Sequence, residues 1–119
     1  MFNKTRNKET GNYGEELAAD FLIKKKYKIL GRNVNFEFGE IDILAQEGKT
    51  IVIVEVKTVK GTGFGLAQDL VRYKKQQKLK LLARAVIQKY PNSTVRIDVI
   101  GVDYSGPEPK IEHIENAVN

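Results

Sequence analysis

Asp42, Glu55 and Lys57 are the residues whose type and spacing can do chemistry, because they put charge into an apolar setting. Thr50 to Lys57 reads T-I-V-I-V-E-V-K, apolar at odd and even positions alike, which predicts a central strand covered on both faces. Strand side chains alternate, so Ile51, Ile53, Glu55 and Lys57 share one face and Val52, Val54 and Val56 the other. An ion leaving water costs several kcal/mol unless it is paired, hydrogen-bonded or bound to a metal. Two carboxylates, a backbone carbonyl such as that of Val56, and waters make an oxygen set suited to Mg²⁺ or Mn²⁺. Such an ion polarises a phosphate oxygen and lowers the pKa of a bound water, while Lys57 orients that water or stabilises developing negative charge. This is the chemistry of phosphodiester hydrolysis.

A structural ion pair is the competing account. The chain has 29% charged residues, and Glu-x-Lys recurs at Glu47-Gly48-Lys49, in a turn, and at Glu108-Pro109-Lys110, beside prolines. Both of those read as solvated surface. Only Glu55-Val56-Lys57 closes an apolar strand.

The elements that must position these groups follow from pattern. Glu40 to Ala45 reads as a strand, and Gln46-Glu47-Gly48-Lys49 as the turn of a β-hairpin into Thr50–Lys57. A loop with an even number of residues places Asp42 on the face of Glu55 and Lys57, across from Ile53 or Glu55; an odd loop or a bulge turns it away. The even loop is the expectation. Period-two alternation puts Glu40 on the face of Asp42, as a reserve ligand or a strand-end charge. Tyr27 to Phe38 precedes the hairpin as a strand broken at Gly31.

A first helix is expected from Asn12 to Lys26, since Tyr13, Leu17, Ala18, Phe21 and Leu22 follow helical spacing. Met1 to Thr10, with Lys4, Arg6 and Lys8, reads as a mobile basic arm ahead of a single domain spanning 11–119. After Lys57, the glycines at 61, 63 and 65 suggest a loop beside the site, from which Lys60 and Phe64 can reach a substrate; it lacks the P-loop and dinucleotide fingerprints. A long helix over Leu66–Tyr90 carries Arg72, Lys74, Lys75, Lys78 and Lys80, a density that fits either a phosphate-facing or a merely solvated surface. Thr94–Val102 reads as a strand parallel to Thr50–Lys57, Asp98 as a partner of neighbouring basic groups, and Lys110–Glu115 as a short edge strand. His113 reads as a surface histidine.

At 119 residues the chain makes one domain, and without cysteine it has no disulfide, thiolate zinc site or cysteine nucleophile. Twenty Lys and Arg against 15 Asp and Glu give a net charge of +5 and support a nucleic-acid partner. No apolar run approaches the roughly 18 residues of a membrane span, and the first ten residues lack the apolar core of a signal peptide, so no membrane partner and a cytoplasmic location are expected.

An Asp, a hairpin, then Glu-x-Lys on its second strand is similar to the motif of restriction-endonuclease-like nucleases, written PD-(D/E)xK, with Ile41 where that motif has proline. Gly11-x-x-Gly14-Glu15-x-x-Ala18, Gly39-Glu40-Ile41-Asp42, Val54-Glu55-Val56-Lys57, Lys75-Gln76 and Arg96-Ile97-Asp98-Val99, in that order over residues 11 to 102, resemble the YraN-type family of uncharacterised bacterial proteins. The resemblance implies an α/β fold with a restriction-endonuclease-like core, a mixed central β-sheet flanked by helices, as in archaeal Holliday-junction resolvases. It implies Asp42, Glu55 and Lys57 as catalytic residues, with Asp42 and Glu55 as ligands of Mg²⁺ or Mn²⁺, and Glu15 as an additional acidic group brought towards the metal. It brings Lys75 and Gln76 to the site from the long helix and suggests DNA, branched or single-stranded, as substrate. A homodimer is the arrangement by analogy, since junction cutters need two sites. A non-catalytic nucleic-acid-binding protein on the same scaffold is the alternative.

Overall fold

The computed structural model describes residues 2–60 and 73–118. Along the chain come α1 (Phe2–Lys24), β1 (Lys28–Phe36), β2 (Gly39–Glu47), β3 (Thr50–Val59), α2 (Tyr73–Lys89), β4 (Thr94–Asp103) and β5 (Lys110–Ile114). The strands form one sheet in the order β1-β2-β3-β4-β5. β3 lies at its centre, antiparallel to β2 and parallel to β4, so the sheet is mixed, as the motif-based resemblance implies. The glycine-rich stretch after Lys60 and the first part of the expected long helix, Arg72 included, lie outside the described residues.

The two apolar faces of β3 explain its position. Ile51 and Ile53 pack with Leu79, Leu82 and Val86 of α2. Val52 and Val54 pack with Ala18 and Leu22 of α1 and with Ile100 and Val102 of β4. All four β3 side chains are almost fully buried, and each contributes about 1.5–3 kcal/mol through removal from water. Two helical layers thus hold one strand in place, and that strand carries Glu55 and Lys57 at its far end.

α1 begins ten residues before Asn12, so residues 2–10 belong to a helix and not to the arm that their polarity suggested. These residues contain neither glycine nor proline and nothing in them breaks a helix, whereas the apolar periodicity begins only at Tyr13. The helix ends at a left-handed residue, Lys26 (φ 74°). The Tyr27 N–H donates to the Leu22 carbonyl and the Lys26 N–H to the Ile23 carbonyl, each at 2.9 Å, the pair of bonds of a Schellman cap. Lys24, Lys25 and Lys26 add cations at the negative end of the helix dipole.

The hairpin turns through Gly48-Lys49 alone, with Glu47 opposite Thr50. Gly48 adopts φ 59°, the left-handed conformation that two-residue hairpin loops require at their first position. The loop is even, so opposed β2 and β3 residues sum to an odd number throughout, as with Ile43 and Val54. β1 carries a register shift between Ile29 and Gly31, the expected break. β5 pairs antiparallel with β4 at one edge of the sheet. Among the described residues, no helix is long and apolar enough to cross a membrane.

Candidate functional site

The β2–β3 ladder ends at Ile43 and Val54, and one step further the register sets Asp42 across from Glu55. There the strand loses its regular alternation: Ile41 packs in the α2 layer and Ile43 in the α1 layer, although they are two residues apart. The irregularity does not turn Asp42 away from β3. Its Oδ2 accepts the Val56 N–H at 2.9 Å, so a side chain takes up a backbone donor where the ladder stops. Glu55, on the next residue, is 5% exposed. Lys57 Nζ lies 3.5 Å from Glu55 Oε1, and its side chain is 28% exposed. Asp42 is thus bonded to the backbone of β3 beside Glu55, and Glu55 in turn lies within 3.5 Å of Lys57.

Glu15 reaches the same end from α1, and Gly14 is what lets it. A Cβ on Gly14 would collide with the Thr58 side chain and touch Val56, so only glycine allows the helix to sit this close to β3. Burial raises the Glu15 pKa above its ordinary value; Arg32 and a hydrogen bond from Asn33 oppose the shift, and the charges of Glu40 and Glu55 add to it. Asn33, with its amide nitrogen turned towards the acids, donates to Glu15 Oε1 and Glu40 Oε1 at 3.1 Å each. Its backbone is left-handed, φ 51°, a conformation asparagine tolerates better than most residues.

Glu40 is thus tied to Glu15 through Asn33. Sequence reading missed Asn33; its one signal is an asparagine two residues after the glycine that breaks the strand.

Among the cationic candidates, the Lys78 side chain crosses directly over Gly39, whose φ of 145° and missing Cβ make that approach possible. Lys78 is exposed, and it lies one residue from Glu40 along β2. Lys60 is exposed just beyond β3, and Gln76 is partly buried in the first turn of α2. Lys75 belongs to α2, but its side chain lies outside the described residues. No group of three or more His, Asp or Glu side chains placed to hold a metal occurs among the described residues. Glu15 is linked to Glu40 through Asn33 and feels the charges of both Glu40 and Glu55.

A second charged assembly lies towards the other end of the sheet, on the α1 side. Asp98, fully buried, accepts from Arg96 Nε at 2.9 Å and Nη2 at 3.0 Å, and from the Asn116 N–H at 2.9 Å. His113 Nε2 lies 2.7 Å from Asp98 Oδ2, and Lys25 Nζ lies 2.8 Å from His113 Nδ1. The lysine ammonium can only donate, so Nδ1 serves as its acceptor and Nε2 faces the Asp98 carboxylate as donor. The His113 side chain is only 3% exposed, which corrects its assignment to the surface. It packs edge-on against Phe21 and Tyr27, contacts between distant segments that no local pattern announces.

Burial pushes the Asp98 carboxyl up, and the bonds from His113, Arg96 and Asn116 outweigh it to hold the pKa below the ordinary value. Arg96 also reaches Tyr27 Oη at 2.8 Å, Glu47 at 3.2 Å and Glu115 at 3.1 Å. This assembly fastens α1, β2, β4 and the segment after β5 to one another. It is a structural fastening, with its acceptors occupied, and it accounts for the Arg96-Ile97-Asp98-Val99 motif.

Residues 14–102 match the model of the uncharacterised protein family UPF0102. A UPF0102 protein of Thermodesulfovibrio yellowstonii is 50% identical over 113 residues, 92% of this chain and 95% of that protein. A UPF0102 protein of Dehalococcoides mccartyi is 42% identical over 113 residues, 93% of each chain. Among solved structures, a complex of EndoMS with double-stranded DNA aligns with a TM-score of 0.45 and 16% identity over 71% of this chain, which spans 34% of the EndoMS chain.

Proposed function

This chain belongs to the UPF0102 family, the YraN-type family that its motifs resemble, and we propose that it is a metal-dependent nuclease cleaving phosphodiester bonds in DNA. What supports the reading is the Asp42 carboxylate held by the Val56 N–H at 2.9 Å, one residue along β3 from Glu55, whose carboxylate lies 3.5 Å from the Lys57 ammonium. The donor set suits Mg²⁺ or Mn²⁺, which are commonly held by one or two carboxylates together with substrate phosphates rather than by a full protein cage. Asp42 and Glu55 would hold the ion. The Val56 carbonyl points with its N–H towards β2, beyond the last paired residues, and would add a third oxygen. When bound, the ion supplies Lewis-acid polarisation of a phosphate oxygen and a more acidic water.

The chain's own residues do the rest. Glu55 and its neighbour Lys57 set a carboxylate and an ammonium side by side, so that the ammonium can orient an attacking water or stabilise charge developing on phosphate. Val56 N–H fixes the Asp42 carboxylate in rotation, which pre-organises it. Glu15, with its pKa raised by burial, stands as a further acidic group within electrostatic range of Glu55. Lys78 and Lys60, both exposed near this end of the sheet, are suited to backbone phosphates, and Lys75, Gln76 and Arg72 are proposed as further DNA contacts from their residue types and the family resemblance. Branched or single-stranded DNA, a cytoplasmic location and a two-fold dimer for paired incisions complete the proposal.

The direct test of the site is calorimetric titration with Mg²⁺ and Mn²⁺ of the wild type, Asp42→Asn and Glu55→Gln. Binding that weakens at least tenfold in both variants supports the assignment. DNA binding with no cation binding by the wild type would favour the alternative, a non-catalytic binding protein on this scaffold.

A further inference from the structure

One carboxylate oxygen in the sheet, Glu112 Oε2 on β5, is buried without a hydrogen-bond partner among the described residues. Buried polar atoms are nearly always satisfied, so this oxygen calls for a donor, and a cation within reach of it is a candidate.

The sheet register identifies that cation. Lys57 of β3 is in register with Gly101 of β4, and Gly101 with Glu112 of β5. Ile114 packs in the same layer as Ile51 and Ile53, whereas Ile111 packs in the opposite one. Alternation then sets Glu112 on the α2 face, where Lys57 also lies. Gly101 has no side chain, so nothing from β4 stands between them. Two strand spacings make about 10 Å between their backbones, within the combined reach of a lysine and a glutamate. Asp103 and Lys110 follow on this face, opposite each other, and the Asp103 carboxylate accepts the Ser105 N–H at 2.9 Å. Lys57 meanwhile is 3.5 Å from Glu55, longer than the 2.7–2.9 Å or so of a well-made ammonium–carboxylate hydrogen bond.

We propose that Glu112 is the second carboxylate partner of Lys57, a positioning residue that receives the ammonium across Gly101 when Glu55 is engaged by a divalent cation. Only the timing rests on the nuclease reading; the ion pair itself does not. The exchange keeps Lys57 charged and ordered beside the site, and it removes the lysine as a competitor for Glu55.

A double-mutant cycle on the metal-free protein tests the pair. In a Glu55→Gln background, where Lys57 has lost its present partner, Lys57→Met and Glu112→Gln are made singly and together, and unfolding is followed in denaturant. The proposal expects the two effects on the unfolding constant to depart from additivity about fivefold or more, and by less when Glu55 is intact. Additivity within about twofold in the Glu55→Gln background overturns it. Mn²⁺ titration separates the two readings: Glu112→Gln should weaken Mn²⁺ several-fold in the wild type and leave Lys57→Met unaffected. Coupling in the cycle without Mn²⁺ binding by the wild type would keep the ion pair and remove the nuclease reading. Normal Mn²⁺ binding that is indifferent to Glu112→Gln, with an additive cycle, would do the reverse.

Discussion

The Asp42 carboxylate serves Val56 as a backbone carbonyl would, accepting its N–H at 2.9 Å one step beyond the last β2–β3 pair. One side chain therefore ends the ladder and stands at the candidate metal site. The two roles can be separated by substitution. Asp42→Asn keeps an acceptor for Val56 and should unfold within about 0.5 kcal/mol of the wild type, whereas Asp42→Ala leaves the donor unmet and should cost about 1 kcal/mol or more. Both should lose cation binding. Denaturant unfolding beside calorimetry checks the split.

Gly14 offers a second test, because its effect runs against helix propensity. Alanine in a helix interior normally stabilises by about 0.5–1 kcal/mol relative to glycine. Here the added Cβ meets Thr58, so Gly14→Ala should destabilise by about 1–3 kcal/mol. Thr58→Ala in the same chain should recover much of the loss, a coupling that thermal unfolding of the single and double variants will read.

Asp98 sets the acid stability of the fold. Its folded pKa lies below the ordinary value, so the unfolded chain takes up a proton first as pH falls. The stability it contributes is present above its unfolded pKa, about 3.9, and is lost as pH falls through the folded value. Asp98→Asn should flatten the stability–pH curve in that window. Asp98→Ala, which leaves Arg96 and His113 without their carboxylate, should cost about 3–5 kcal/mol at neutral pH.

Glu15 has the opposite sign. Its folded pKa is raised, so the protonated carboxyl suits the fold; that advantage is complete below the unfolded pKa and lost as pH rises through the folded value. Glu15→Gln should therefore raise the Tm at pH 7 and leave it nearly unchanged at pH 4. Scanning calorimetry at the two pH values decides it.

How far the sequence led can be judged from single residues. β3 was legible because Ile51 to Val54 are apolar on both faces, which only a doubly covered strand tolerates. The hairpin was legible in its polar turn and the even loop held, but the turn proved shorter than Gln46–Lys49, because Gln46 and Glu47 pair with Ile51 and Thr50 and leave only Gly48-Lys49. His113 went astray because its burial depends on Lys25, Phe21 and Tyr27, residues more than 80 positions away. Local periodicity carries no record of such long-range contacts.

Lys78 should act through charge alone. Its side chain lies over Gly39 and offers an ammonium without a planar base-reading fork. Lys78→Ala should weaken DNA binding about equally for all sequences and lower the salt-dependence slope by about 1, measured by anisotropy across a salt series.

The central claim concerns Glu55, and cleavage tests it most directly. Labelled duplex, single-stranded, flapped and four-way-junction DNA would be incubated with wild type and Glu55→Ala in Mg²⁺, in Mn²⁺ and in chelator. Cutting by the wild type alone, with metal only, is the predicted result, and the best-cut structure then names the substrate class. Equal binding of DNA by both proteins with no cutting by either would contradict it.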